Sequence, residues 1–380
     1  MSRASVKPKL LFVVTEDWYF YSHRIGLAIA AKRAGFDVAI ATRIGRHRDD
    51  LESTGFELFD LKFLKRRTSG PIHELRSIIE LASIYRTWKP TIVHHVALKP
   101  VVYGNVAAYL YPGLVSINAL AGLGYVFTTE SAHARLLRLF IKPLLRLILN
   151  RSNSKTIVQN PENLDSLRKL GVNQRNIRLI RSAGVDLSVF QVGQREKFRS
   201  VLLPARLLWD KGVGDFVKVA TIIRKNDPSV EFILAGDIDE SNPRSVSKDH
   251  IRTWEKNGHI SWAGHVSDMP HLLSKTMIVC LPTTYGEGVP KALVEAAASG
   301  LPLVAYDVPG CREIVKHGRN GFLLKPADIQ GLVSAITYLL DDKDSRLMMG
   351  LKSRELAEDE FSDADVHART LKVYQECLDR

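Results

Sequence analysis

Residues 282–300 read Pro-Thr-Thr-Tyr-Gly-Glu-Gly-Val-Pro-Lys-Ala-Leu-Val-Glu-Ala-Ala-Ala-Ser-Gly. The run before them, Ile278-Val279-Cys280-Leu281, is apolar and short, as a buried strand is. Gly286 and Gly288 then mark a loop, and Pro290 falls at a helix start, where a missing N–H costs nothing. The pattern predicts a helix over 290–299. Glu287 lies in the loop and Glu295 on the helix, so the two carboxylates face one cleft from different heights. The amides of Gly286, Gly288 and Val289 point toward the same space, at the positive end of the helix, and make an anion site. Carboxylates beside an anion site suit a ligand carrying both phosphate and hydroxyl groups. A plain strand–loop–helix unit with two surface glutamates is the other reading of the pair taken alone.

Outward from this segment the chain repeats one logic. Strands are expected at Ser200–Pro204, Glu231–Ala235, His259–Trp262, Met277–Leu281 and Pro302–Tyr306, with helices over 213–226, 290–299 and 311–317. An equivalent series precedes it: strands at Lys9–Thr15, Val38–Ala41, Thr91–Val96, Leu114–Asn118, 154–160 and 177–181, with helices over 22–35, 72–89 and 101–111. Strand and helix in alternation predict an α/β architecture of two doubly wound, parallel-sheet, Rossmann-like domains. The polar connection Gln191–Arg199 sets the expected division: an N-terminal domain over 1–190 and a C-terminal domain over 191–361, with a last helix over 362–380.

The second series carries more candidates. Pro204-Ala205-Arg206-Leu207-Leu208-Trp209-Asp210-Lys211-Gly212 follows a strand and precedes a helix, so Arg206 and Lys211 stand where a diphosphate would be held. A solvated loop with a surface ion pair is the alternative. Gly236 ends one strand and permits close backbone approach to a ligand. Gly264, followed by His265 and Val266, ends another. Asp268 reads as a helix cap, and Arg312 with Glu313 as a surface pair.

In order and spacing, Arg206/Lys211, Gly236, Gly264, Glu287/Glu295, Gly310 and Gly321 resemble the C-terminal domain of the GT4 retaining glycosyltransferases. The pair Glu287 and Glu295 matches that family's E-x7-E signature, and the likeness covers roughly 175–330. It implies the GT-B fold, with two Rossmann-like domains facing a cleft. It also implies that Arg206 and Lys211 neutralise the donor diphosphate in place of a metal ion, with no cofactor required. Glu287 would hold sugar hydroxyls and Glu295 ribose hydroxyls. Gly288 and Val289 would face phosphate or sugar, and Gly236, Gly264, His265 and Val266 would flank the nucleotide. A UDP-sugar is the expected donor.

The N-terminal half departs from the family in places. Thr15–Arg24 is read as a loop without glycine; its aromatic residues either shape an acceptor pocket or belong to the core. Arg24 stands near a helix start, within reach of a phosphate. No histidine occurs in 118–127, where several relatives of this kind carry one. His94 and His95 end a strand, as acceptor residues or as structural ones. The segments around His94, His95, Lys99, Tyr103 and Gly104 and at Ala121–Gly124 resemble a bacterial GT4 subgroup. Its members act on polyprenyl-diphosphate-linked glycans in O-antigen, capsule, exopolysaccharide or glycoprotein glycan assembly. Lys99 is then a candidate for acceptor phosphate.

Charge adds an independent indication. Residues 1–190 hold 28 Lys and Arg against 14 Asp and Glu, and the remainder 25 against 27. A basic N-terminal half implies an anionic partner. Arg135, Arg138, Lys142 and Arg146 form one stripe on an otherwise apolar helix, which either lies on an anionic membrane or packs into the core; Lys65-Arg66-Arg67 is a candidate addition to the same face. No reader motif for nucleic acid occurs, and no apolar run of 18 residues. Three cysteines without C-x-x-C spacing fit a reducing compartment and no zinc site. The expectation is a cytoplasmic enzyme, peripheral on the inner face of the cell membrane. It would move a sugar, an N-acetylhexosamine or related hexose, from a nucleotide sugar to a lipid-diphosphate-linked saccharide. The rival readings are a nucleotide-sugar epimerase of the same fold and a non-catalytic subunit that binds nucleotide sugar or membrane.

Overall fold

The computed structural model describes residues 7–66, 70–120, 132–193, 199–240, 242–284, 286 and 288–379, with backbone only at 132–138 and 140. The chain divides into two compact units, Met1–Ala183 with Asp363–Arg380, and Gly184–Ser362.

In the first unit the strands are β1 (Lys9–Glu16), β2 (Asp37–Arg43), β3 (Glu57–Asp60), β4 (Ile92–Val96), β5 (Val115–Leu120), β6 (Ser154–Val158) and β7 (Ile177–Leu179). They form one parallel sheet in the order β3-β2-β1-β4-β5-β6-β7. Its strands read as continuous apolar runs because helices cover both faces, and Leu10 through Val14 are buried throughout. Phe12, Ile92 and Ile117 pack on the side of Leu27 and Tyr374; Leu11, Val13 and Val93 pack on the side of Leu81 and Tyr85. Each such side chain contributes about 1.5–3 kcal/mol by leaving water. On the second face the helices Pro71–Trp88, Leu98–Ala108 and Ala132–Leu149 lie in contact, side by side. The final helix, Asp363–Leu378, returns to this unit, with Tyr374 fully buried and Arg178 paired to Glu376 at 2.8 Å.

One expectation fails here. Thr15–Arg24 is not a loop: β1 continues to Glu16 and runs straight into the helix Asp17–His23, after which Ile25–Arg33 forms a second helix. Asp17 decides this. Its buried carboxylate accepts hydrogen bonds from the backbone N–H of Gly45 (2.7 Å), His47 (3.0 Å) and Trp18 (2.7 Å). Phe20 meets Phe12 edge to face at 5.6 Å. The aromatic residues therefore split, with Phe20 in the core and Tyr21 stacked on His47 at the surface.

The second unit has β8 (Ser200–Pro204), β9 (Glu231–Ala235), β10 (Ser261–Trp262), β11 (Ile278–Leu281), β12 (Leu303–Tyr306) and β13 (Gly321–Leu324). These are parallel in the order β10-β9-β8-β11-β12-β13. The sheet grows from β8 to β10 on one side, and the chain then crosses back to lay β11 on the other side. The carboxyl ends of β8 and β11 thus flank a topological switch point, where open parallel sheets take ligands.

Candidate active site

The loop after β8 holds Arg206 and Lys211. A short 3-10 turn, Trp209–Lys211, ends at Gly212, whose φ of +79° is the left-handed conformation that glycine adopts without strain. Gly212 is also the cap residue of the helix Val213–Asn226. The loop after β11 is fastened to it: the N–H of Thr284 donates to the Asp210 carbonyl at 3.0 Å, and the Thr283 hydroxyl donates to the same oxygen at 3.1 Å. The two loops flanking the switch point are therefore one piece of backbone architecture.

Beside them runs the loop after β9. Gly236 has a φ of +152°, and a Cβ there would lie 2.0 Å from the Ala205 carbonyl oxygen. Its own carbonyl accepts from the Trp262 indole N–H at 3.0 Å, and its N–H donates to the Gly264 carbonyl at 2.8 Å. Gly264, in a left-handed turn, faces open space, and exposed His265 stands 3.4 Å from Asp237. Val266 packs against the core of the unit.

Arg206 and Lys211, Gly236, Gly264, and buried Gly288 and Val289 thus stand on neighbouring loops at the carboxyl ends of adjacent strands, within one unit. Glu287 lies outside the described residues. Glu295 sits in the helix Lys291–Ala298, mostly buried at 12 % side-chain exposure and ion-paired with Lys291 one turn earlier. Asp268 caps the helix Met269–Ser274 by accepting from the His271 N–H at 3.0 Å, as its position implied. Of the expected surface pair, Arg312 is exposed and pairs with Asp307, whereas Glu313 is buried because the helix Pro309–Ile314 turns that side inward.

Two contacts escaped the sequence reading. Arg206 Nη1 donates to Asp239 Oδ2 at 2.9 Å, and Arg244 grips Asp210 through Nε and Nη2 at 3.1 and 2.8 Å. Asp237-Ile238-Asp239 has D-x-D spacing, but it stands at the Gly turn after β9, where that spacing does not mark a metal site. Its place three residues beyond Gly236, in the loop after the strand that neighbours β8, was the signal that pointed toward Arg206.

In the first unit the acceptor candidates separate. His94 and His95 are successive residues of β4, so their side chains leave opposite faces of the sheet. His95 is fully buried among Tyr85 (2.8 Å), Asn118 (3.2 Å) and Asn105, and burial brings its pKa down to about 4. His94 shares a hydrogen bond with Tyr374 and stacks on Phe12; its Nε2 is buried without a partner. Burial, together with the Arg24 charge, holds its pKa well below the ordinary histidine value, so it is a neutral imidazole. Arg24 is 6 % exposed at the start of the helix Ile25–Arg33, and its Nε is likewise buried without a hydrogen bond. A buried guanidinium with an unused donor, at a helix start, is suited to an anion. Lys99 is held by Glu74 at 3.0 Å and by the Lys65 carbonyl at 2.9 Å.

The helix Ala132–Leu149 packs one side into the core and leaves the other exposed. Leu145, Ile148 and Leu149 are buried, while Leu139, Lys142, Arg146 and Leu147 lie exposed on the other side. On the helix Pro71–Trp88, which like Ala132–Leu149 packs on the helix Leu98–Ala108, Ile72, Leu75 and Ile79 form an exposed apolar stripe at spacings of three and four. Segment 121–131, with the Ala121–Gly124 motif, lies outside the described residues, as do Arg67 and the side chains of Arg135 and Arg138. Among the described residues no helix is long and apolar enough to cross a membrane.

Two parallel α/β units, the second with cationic and glycine-rich loops at its switch point, have the architecture of GT-B glycosyltransferases. The family model described as "Glycosyl transferases group 1" matches residues 186–356, and "Glycosyl transferase 4-like" matches residues 9–160. Together these matches take in most of the chain, which is a glycosyltransferase belonging to the family they describe. Among its relatives is the N,N'-diacetylbacillosaminyl-diphospho-undecaprenol alpha-1,3-N-acetylgalactosaminyltransferase of Campylobacter jejuni, 26% identical over 94% of this chain and 96% of the relative. Another is the UDP-Gal:alpha-D-GlcNAc-diphosphoundecaprenol alpha-1,3-galactosyltransferase of Escherichia coli, 25% identical over 74% of each chain. Among solved structures, Anabaena HepE in complex with UDP superimposes with a TM-score of 0.78 at 16% identity, over 97% of this chain and 100% of that one.

Proposed function

We propose that this chain is a retaining glycosyltransferase that moves a sugar, an N-acetylhexosamine or related hexose, from a UDP-sugar to a polyprenyl-diphosphate-linked saccharide. Unit 2 takes the donor and unit 1 the acceptor. The observation that carries this reading is the joined pair of loops at the unit 2 switch point, with Arg206 and Lys211 on one and the buried Gly288-Val289 turn on the other. The relatives named for undecaprenyl-diphosphate acceptors support the choice of acceptor class.

The chemistry follows from charge. Departure of the nucleoside diphosphate leaves an extra negative charge on its terminal phosphate, and two fixed cations stabilise that charge most when it is fully developed. The C–O bond to the phosphate breaks with its electron pair going to the leaving group. An acceptor hydroxyl bonds to the anomeric carbon from the same face and passes its proton to the departing phosphate oxygen. Glu287 holds the sugar hydroxyls and Glu295 the ribose hydroxyls, with Lys291 orienting Glu295. Arg24, with a buried unused N–H, takes acceptor phosphate, and neutral His94 beside it is a hydrogen-bonding neighbour.

Work on a lipid-linked acceptor places the enzyme at the inner membrane surface. The outer sides of two helices that both pack on the helix Leu98–Ala108 suit that surface: Ile72, Leu75 and Ile79 on one, Leu139 and Leu147 among Lys142 and Arg146 on the other. Apolar side chains enter the acyl boundary while the cations meet anionic headgroups.

The test is a thermal-shift screen over UDP-, GDP- and dTDP-sugars. The stabilising donor is then incubated with a polyprenyl-diphosphate sugar, and the product anomer is read by NMR. Stabilisation by UDP-sugars and a product with the donor's anomeric configuration are expected. An inverted product, or isomerisation of donor without acceptor, overturns the reading.

A further inference from the structure

We infer that Asp239 is a positioning residue for Arg206, held at its station by a strap of chain that is fastened over the donor loop. The inference rests on the proposed role of Arg206 at the donor diphosphate. Asp239 accepts from Arg206 Nη1 at 2.9 Å, and its side chain is 13 % exposed while that of Arg206 is 38 % exposed.

On either side of Asp239 the chain is bound to the loop that bears Arg206 and Lys211. Before it, the Asp237 carbonyl accepts from the Leu207 N–H at 3.0 Å. After it, the Asn242 N–H donates to the Asp239 carbonyl at 2.8 Å, and the Ser245 N–H donates to the Asn242 carbonyl at 3.0 Å. The Arg244 carbonyl then accepts from the Trp209 N–H at 2.9 Å, and the Val246 N–H donates to the Leu207 carbonyl at 2.9 Å. Leu208 and Ser245 form an antiparallel bridge, and the Arg244 guanidinium grips Asp210, immediately before Lys211.

This arrangement decides between two roles for the carboxylate. A gate that yields its place to the diphosphate would have to swing, which needs a segment with few backbone bonds. Asp239 sits instead between anchors on both sides, so it is a fixed acceptor. An arginine on a long flexible stem loses much rotamer freedom when it grips a phosphate, and a fixed carboxylate on one nitrogen removes part of that freedom beforehand. The same carboxylate stands near a dianionic ligand and repels it. The geometry therefore assigns Asp239 to orientation at some cost in charge, and this gives the variants distinct signs.

The experiment measures binding of UDP and of uridine to the full-length wild type and to Arg206→Ala, Asp239→Ala and Asp239→Asn by calorimetry. Arg206→Ala should lose UDP affinity. Asp239→Ala should weaken UDP about tenfold while leaving uridine, which has no phosphate, within about twofold. Asp239→Asn retains an oxygen acceptor for the Nη1–H and should recover UDP affinity to near the wild-type value. If Asp239→Ala binds UDP as well as wild type or more tightly while Arg206→Ala does not, the positioning role is wrong and the donor site stands. Equal losses for UDP and uridine would mean that Asp239 merely holds up the loop. If wild type does not bind UDP, or Arg206→Ala binds UDP like wild type, the donor assignment falls and this inference falls with it.

Discussion

The Pro282 carbonyl oxygen lies 2.0 Å from the point that a Cβ on Gly212 would occupy. The loop that ends β8 and the loop that follows β11 therefore touch backbone to backbone, and the contact exists only because position 212 has no side chain. Gly212→Ala adds this clash to the strain of a φ of +79°. Gly264 has a φ of +64° but open space around its Cβ position. Gly212→Ala should cost upward of about 3 kcal/mol of unfolding free energy, and Gly264→Ala about 1–2 kcal/mol. Urea titrations of both variants check this; equal losses would show that the loops part easily.

Arg206→Ala and Lys211→Ala should each lower kcat about 100-fold or more, since each removes a cation from the leaving diphosphate. Both side chains emerge from a loop already held by backbone bonds, so the variants should fold with a loss of about 0.5 kcal/mol for Lys211→Ala and about 1–2 kcal/mol for Arg206→Ala, which takes a hydrogen-bond donor from the mostly buried Asp239. Steady-state kinetics with the identified donor, beside denaturant titrations, separates the two effects.

Acid should destabilise the first unit in a defined window. His95 has a pKa of about 4 in the fold, and its unfolded value is near 6.5. The unfolded chain binds the proton first, so stability is fully present above about pH 6.5 and falls as the pH drops toward 4. His94 and His367, also lowered by burial, act in the same direction. His95 alone accounts for roughly 3 kcal/mol across that interval. Isothermal unfolding at a series of pH values from 7.5 to 4.5 reads the slope, and His95→Gln should flatten it.

Partition onto phosphatidylglycerol vesicles should depend on the exposed helix faces. Lys142→Ala should weaken it about fivefold, or about 1 kcal/mol. Ile72→Ser combined with Leu75→Ser should weaken it further without changing the salt dependence. Flotation at two ionic strengths distinguishes the apolar from the cationic contribution.

Much of this fold was legible because parallel strands buried on both faces are plain in sequence. Ser200–Pro204, Glu231–Ala235 and the helix over 213–226 fall where the periodicity puts them. β3 and β13 were not anticipated: Glu57–Asp60 and Gly321–Leu324 are four residues each, at sheet edges, too short for an apolar run to identify them as strands. The helix Asp17–His23 was hidden for another reason. Its start is fixed by N–H groups of Gly45 and His47, some thirty residues away. The candidate site shows the same division. Arg206, Lys211 and the glycines announce themselves by type and place in a strand–loop–helix frame. Asp239 and the neutral state of His94 depend on neighbours that only the folded chain supplies.

The most direct test of the central claim measures UDP-sugar binding to wild type and to the double variant Arg206→Ala/Lys211→Ala by calorimetry. The account predicts saturable one-to-one binding to wild type and its near-complete loss in the folded double variant. Undiminished binding by the double variant would contradict it.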